Sequence, residues 1–220
     1  GLDLRLRLVH LVETIYDPSG ILDTDLNRIN EPADGYMDEV HGIRDLYGAD
    51  LVALLTTPGG DTGGLANTMS TPSLNFADSG FSVSVWDQIG APSYTLAHEI
   101  GHNMGCLHNR EDETSEDGGQ DYDLYAFSFG KRWLDGSSGY RTIMSYDDTA
   151  QTYPTKIPYF SNPLVSYQGV STGNTGTENN AKVLSITSPY VSNFRQAKIQ
   201  AIEPSIMSLE IAEGNMSSLG

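Results

Sequence analysis

Five residues within a stretch of eleven carry the chemistry of this chain. His98, Glu99, His102, Gly105 and His108 form the pattern HExxHxxGxxH. His98 and His102 are four apart, so on a helix both imidazoles leave the same face and can reach one ion at about 2.0–2.1 Å. A helix continued beyond His102 would carry His108 away from that ion. Gly105 supplies the left-handed backbone that ends the helix and turns the chain back. Three neutral nitrogens leave a fourth position for water. Glu99 sits beside the first ligand, where it can accept a proton from that water instead of binding the ion. Zn2+ is the expected cofactor: it lowers the pKa of a bound water towards ~7 and polarises a carbonyl. The set therefore specifies metal-assisted amide hydrolysis. The competing reading is of ordinary helix histidines, but three of the chain's five histidines fall in this window.

Cys106, two residues before His108, could close the site as a fourth ligand and make it structural. It is read instead as a small buried residue, because three ligands suffice. His10 and His41 receive no role.

The ligand helix is expected from Tyr94 to about Met104, started at Pro92 or Ser93 and stopped at Gly105. Around it the pattern reads as an α/β fold. Leu2, Leu4, Leu6 and Leu8 alternate with Asp3, Arg5 and Arg7, which predicts a half-buried strand over 2–12, followed by a turn at Asp17, Pro18 and Gly20. Tyr36, Met37, Val40, Ile43 and Tyr47 recur at helical spacing, with Asp34 placed as cap and Gly48 as stop. The apolar run 51–55 then makes strand, helix, strand, a crossover unit with parallel pairing. Residues 58–80 read as irregular or as an edge strand, and 81–86 as another strand.

The stretch 109–140 is polar and rich in turn signals, consistent with a loop-rich lower lobe. Glu111, Asp112, Glu113, Glu116 and Asp117 could bind Ca2+, though a solvated acidic face is the preferred reading. A last helix is expected over 178–195, capped by Thr177 and kinked or split at Pro189. After 198 the pattern fades, leaving 199–220 as a tail or the start of a further module. The domain is thus taken as 1–198.

Acidic residues number 29 against 12 basic ones, a formal net charge of −17. Such a surface repels nucleic-acid phosphates and anionic lipid. No apolar run approaches the ~18 residues of a membrane-spanning helix, so no membrane insertion is expected. One cysteine excludes an internal disulfide.

The zinc pattern resembles the long consensus of the metzincin clan, and Arg141-Thr142-Ile143-Met144-Ser145-Tyr146 resembles that clan's Met-turn. Residues 46–51, 142–144 and 157–163 look most like bacterial reprolysin-like peptidases, relatives of the adamalysin and ADAM catalytic domains. Asn109, after the third histidine, departs from the aspartate usual in the animal members. The resemblance implies an α+β metzincin-like fold: a twisted, mostly parallel sheet with an antiparallel edge strand, an active-site helix, and a lower lobe ending in a C-terminal helix. It implies Met144 beneath the metal, and protein or peptide substrates lying extended along an edge strand, for which Gly64, Leu65, Ala66, Asn67 and Thr68 are the candidates. It implies a secreted, extracellular zinc endopeptidase acting through a zinc-bound water activated by Glu99. A first strand and helix usual in the family would be missing before residue 1. Tyr146, two residues after Met144, is a candidate to support the oxyanion, as in astacins and serralysins, or else it lines the pocket. The alternative function is a catalytically silent, metzincin-like binding module, for which Glu99 would be superfluous.

Overall fold

The computed structural model describes residues 4–60, 62–112, 124–147, 153 and 155–197. It is a mixed α/β arrangement of several small sheets around one helix that carries His98 and His102. Helices α1 (Leu22–Asn30) and α2 (Glu39–Tyr47) precede strand β1 (Val52–Thr56). Strands β2 (Gly64–Ala66) and β3 (Phe81–Val85) complete a three-stranded sheet of order β1-β3-β2. β1 runs parallel to β3, and β2 runs antiparallel to it at the edge. Every residue of β3 is buried, as a central strand covered on both faces requires.

The opening strand expected over 2–12 is not formed: residues 4–18 carry no regular structure, and residues 1–3 lie outside the described residues. Alternation shows only that one face could be covered, and here no strand pairs with the segment. Leu6, Leu8, Leu11 and Val12 stay exposed. Without that strand, the parallel pair is β1 with β3, not an opening strand with β1. Helix α1 lies where the sequence pattern leads to a turn alone, although Leu22, Leu26 and Ile29 recur at i, i+4 and i+7 and are all buried.

Helix α2 starts later than Asp34 implies. Asp34 accepts a hydrogen bond from Tyr36 N in the preceding turn and caps no helix. The stop is as expected, with Gly48 left-handed at φ 61°.

Helix α3 (Thr95–Asn103) packs across β3 and β2. Its cap position is Tyr94, in a left-handed conformation, rather than Pro92 or Ser93. Beyond it β4 (Leu107–Asn109) pairs in parallel with β5 (Phe129–Gly130). The stretch read as loops also holds the hairpin β6 (Arg132–Asp135) and β7 (Ser138–Arg141), turned at Gly136. β8 (Thr155–Lys156) adds to β7 in parallel, and β9 (Ser166–Tyr167) pairs with β10 (Val170–Ser171).

The last helix, α4 (Asn180–Val191), is capped by Asn179, which accepts from Lys182 N, and not by Thr177. Pro189 sits in its last turn and does not split it. The Ser185 carbonyl that a residue-189 N–H would have bonded accepts from the Ser188 hydroxyl at 3.4 Å.

Two apolar clusters flank the ligand helix. One joins α1 and α2 to the sheet through Leu26, Ile29, Val40, Phe81 and Val83. The other gathers Met69, Met104, Cys106, Met144, Val183 and Leu184 beneath α3. Thr187 Oγ1 donates to Met104 O at 2.9 Å, tying α4 to the end of the ligand helix. No helix among the described residues is long and apolar enough to cross a membrane.

Candidate metal centre

Helix α3 presents His98 and His102 on one face, four residues apart, and Gly105 turns the chain at φ 85°. Gly105 N bonds back to His102 O at 2.9 Å and Cys106 N to Gly101 O at 2.9 Å, which closes the helix end. The chain then enters β4, whose central residue is His108.

The three Nε2 atoms converge. His98 to His102 is 3.1 Å, His102 to His108 is 3.0 Å, and His98 to His108 is 3.2 Å. Nitrogens about 2.0–2.1 Å from a tetrahedral ion stand roughly 3.3 Å apart, so the spacing fits a zinc-sized cation. The far nitrogens explain why the lone pairs face inward. His98 Nδ1 donates to Ile143 O at 2.8 Å, and His102 Nδ1 donates to Cys106 O at 2.9 Å. A carbonyl can only accept, so each neutral ring carries its proton on Nδ1 and turns an unprotonated Nε2 to the centre. Burial, then the neighbouring His102 and His108, holds His98 well below the ordinary imidazole range. Lone pairs this close repel unless a cation lies between them. Among the described residues, these three histidines form the one group of His, Cys, Asp or Glu able to share an ion.

Glu99 is 4% exposed and lies on the same cleft as His98. Burial pushes its carboxyl up to about 8, against the opposing charge of Lys156. The cleft has a volume of about 300 Å³, and Gly64, Thr95, Arg141, Tyr146 and Lys156 also line it. Gly64, on edge strand β2, lies against Glu99: a Cβ there would meet Glu99 Oε1 at 2.5 Å. Leu65 and Ala66 complete that strand, and Asn67 and Thr68 lie past it. Asn67 turns inward, its Nδ2 donating to Asn30 Oδ1 and Ser79 O at 3.0 Å each.

Met144 is fully buried beneath α3 and packs against Gly101. The ring of Tyr146 lies 4.1 Å from that of His108 and 5.8 Å from that of His98, centroid to centroid. Asn109 fixes this segment, its Oδ1 accepting from Tyr146 N at 3.0 Å and its Nδ2 donating to Glu111 Oε2 at 3.0 Å. Cys106 points into the core, where burial raises its thiol far above the ordinary value. His10 stacks on Tyr47, and His41 bonds Ile29 O.

Of the acidic run read for Ca2+, Glu111 and Asp112 pair with Arg132. Glu113, Glu116 and Asp117 lie outside the described residues. Two cleft residues escaped the sequence reading, Arg141 and Lys156. Their signal was rarity, two of only 12 basic residues flanking the Met144 turn.

A family model described as metallo-peptidase family M12B, reprolysin-like, matches residues 1–179. The chain is 34% identical over 196 residues to a peptidyl-Asp metalloendopeptidase of Stenotrophomonas maltophilia, covering 87% of this chain and 43% of that protein. It is 32% identical over 192 residues to one of Xanthomonas campestris pv. campestris, covering 87% and 42%. It is 27% identical over 220 residues to one of Pseudomonas aeruginosa, covering 90% and 34%. The chain thus spans less than half the length of these curated relatives. A solved structure described as a chaperone-substrate complex is similar over 81% of this chain and 25% of that one, with a TM-score of 0.52 and 20% identity. That likeness concerns the fold alone.

Proposed function

This chain belongs to the reprolysin-like metallo-peptidases of family M12B, and from that premise we propose that it is a zinc-dependent endopeptidase hydrolysing peptide bonds of extended protein substrates. The observation that carries the reading is the convergence of three Nε2 atoms at 3.0–3.2 Å with Glu99 on the same cleft. His98, His102 and His108 hold the ion, which when bound supplies a Lewis acid for the scissile carbonyl and acidifies water.

Glu99 takes a proton from the attacking water and passes it to the leaving amine. A carboxyl raised by burial suits both halves of that transfer. Main-chain groups of Gly64, Leu65 and Ala66, continued by Asn67 and Thr68, align the extended peptide as an added strand. Tyr146, stacked beside the histidines, turns its hydroxyl towards the negative charge developing on the carbonyl oxygen. Met144 supports the histidines from below. Residues 1–198 make up the catalytic unit, and an extracellular place of action belongs to the same reading. The relatives are peptidyl-Asp enzymes by name, and we extend a preference for acidic residues beside the scissile bond to this chain. A silent binding module would have no use for the buried base.

The test is Glu99→Gln with peptide hydrolysis and zinc content measured together. Zinc should stay at one per chain while turnover falls about 10²–10⁴-fold. Near-normal hydrolysis by the pure variant would refute the mechanism.

A further inference from the structure

In a chain with 29 acidic and 12 basic residues, an acidic peptide meets repulsion over most of the surface. The cleft beside the metal centre is an exception. Arg141 and Lys156 both line it, and Glu99 is the one carboxylate among its described lining residues. Arg141 on β7 and Lys156 on β8 are register partners in a parallel pair, which sets their side chains on one face of that sheet.

The two cations are held differently. Arg141 Nη1 donates to Tyr153 O at 3.1 Å and pairs with Asp147 Oδ2 at 3.2 Å. Its Nε is buried with no hydrogen-bond partner among the described residues. Lys156 is half-buried, and its ammonium makes no ion pair or side-chain hydrogen bond among the described residues. A half-buried ammonium beside a second cation is held in an unfavourable place, and an arriving carboxylate relieves both penalties.

We infer that Lys156, seconded by Arg141, is the specificity-determining group of this cleft and binds an acidic side chain next to the scissile bond. The inference rests on the endopeptidase reading and adds the residues that select the substrate. Arg141 is the anchored member, already tied down by Asp147 and Tyr153. Lys156 is the donor with no other bond among the described residues, and it is the one that takes the ligand. Glu99 lies on the same cleft but is committed to proton transfer, so an acidic side chain is drawn to the Lys156 side of it.

The experiment compares peptides that differ only in Asp, Asn or Lys beside the cleavage point, cleaved by the wild-type, Lys156→Met, Lys156→Arg and Lys156→Glu chains. The advantage of Asp over Asn in kcat/KM should fall about 10- to 100-fold in Lys156→Met, the scale of one charged hydrogen bond. Lys156→Arg should retain it, and Lys156→Glu should turn the preference towards Lys. An equal fall for every peptide, with the ratio intact, would overturn the assignment and make Lys156 a group that acts on the reaction itself. If the wild-type chain cleaves no peptide, the endopeptidase reading fails separately. The assignment is then decided by affinity of the uncleaved Asp and Asn peptides, and equal affinities in wild type and Lys156→Met would overturn it.

Discussion

Gly101 and Met144 are separated by a gap too small for one carbon atom: a Cβ on Gly101 would lie 2.6 Å from Met144 Sδ and 2.9 Å from Phe160 Cε1. Met144 is fully buried. Gly101→Ala tests which effect wins. Alanine favours a helix interior by roughly 0.5–1 kcal/mol, whereas overpacking a tight core costs about 1–3 kcal/mol. A net loss of about 1 kcal/mol or more is expected in the urea unfolding of the zinc-loaded chain. Unchanged or raised stability would show that Met144 yields.

Gly64 stands in the same relation to Glu99, with a Cβ there 2.5 Å from Oε1 and 2.6 Å from Thr95 Cγ2. Gly64→Ala should push the carboxylate off its position and leave the histidines alone. Turnover should fall by about 10²-fold, the scale of a misplacement near 1 Å, with zinc content unchanged. Loss of zinc in parallel with turnover would mean that the edge strand supports the whole site.

The raised Glu99 carboxyl has a consequence for stability with a definite sign. With the ion removed by chelation, the group titrates near its ordinary 4.5 in the unfolded chain and near about 8 in the folded one. Below the first value both states hold the proton. Between the two, only the unfolded chain releases it, so stability declines as pH rises and the loss is complete above the second, on the order of a few kcal/mol. Glu99→Gln has no proton to release. Its unfolding free energy relative to the wild-type chain should climb from about pH 5 to pH 8, and a pH-independent difference would contradict this.

Tyr146→Phe separates a hydrogen-bond donor from a ring. The variant keeps the ring contact with His108 and the Asn109 bond to the main chain. Turnover should fall by about 10²-fold with KM and zinc content kept, within the range found for single positioned donors. A change confined to side-chain preference would reduce Tyr146 to pocket lining.

The candidate metal centre was legible because its geometry is local. An i, i+4 pair, a stop glycine and a third histidine three residues later fix one another without reference to the rest of the chain. Helix α2's end at Gly48 and the central strand 81–85 were legible for the same reason. The opening segment was not, because alternation in Leu4, Leu6 and Leu8 cannot say whether another strand lies beside it. Lys156 was hidden because its significance comes from pairing with Arg141, fifteen positions earlier, and from facing Glu99 across a cleft. Helix α1 carried a readable spacing, but Ile21 at its cap offers no side-chain acceptor to announce the start.

The three histidines are tethered to different parts of the chain: His98 to the Met144 turn through Ile143 O, His102 to the loop after α3 through Cys106 O, and His108 within β4. A cation at their centre is therefore a clamp that gathers three stretches of backbone. Take it away and the same three lone pairs become a wedge, pressing helix from strand. Chelation should accordingly loosen the chain from the inside, with amide exchange accelerating first at 104–109 and 142–146 and last in the buried strand 81–85. The ion would then be a part of the core as much as a reagent.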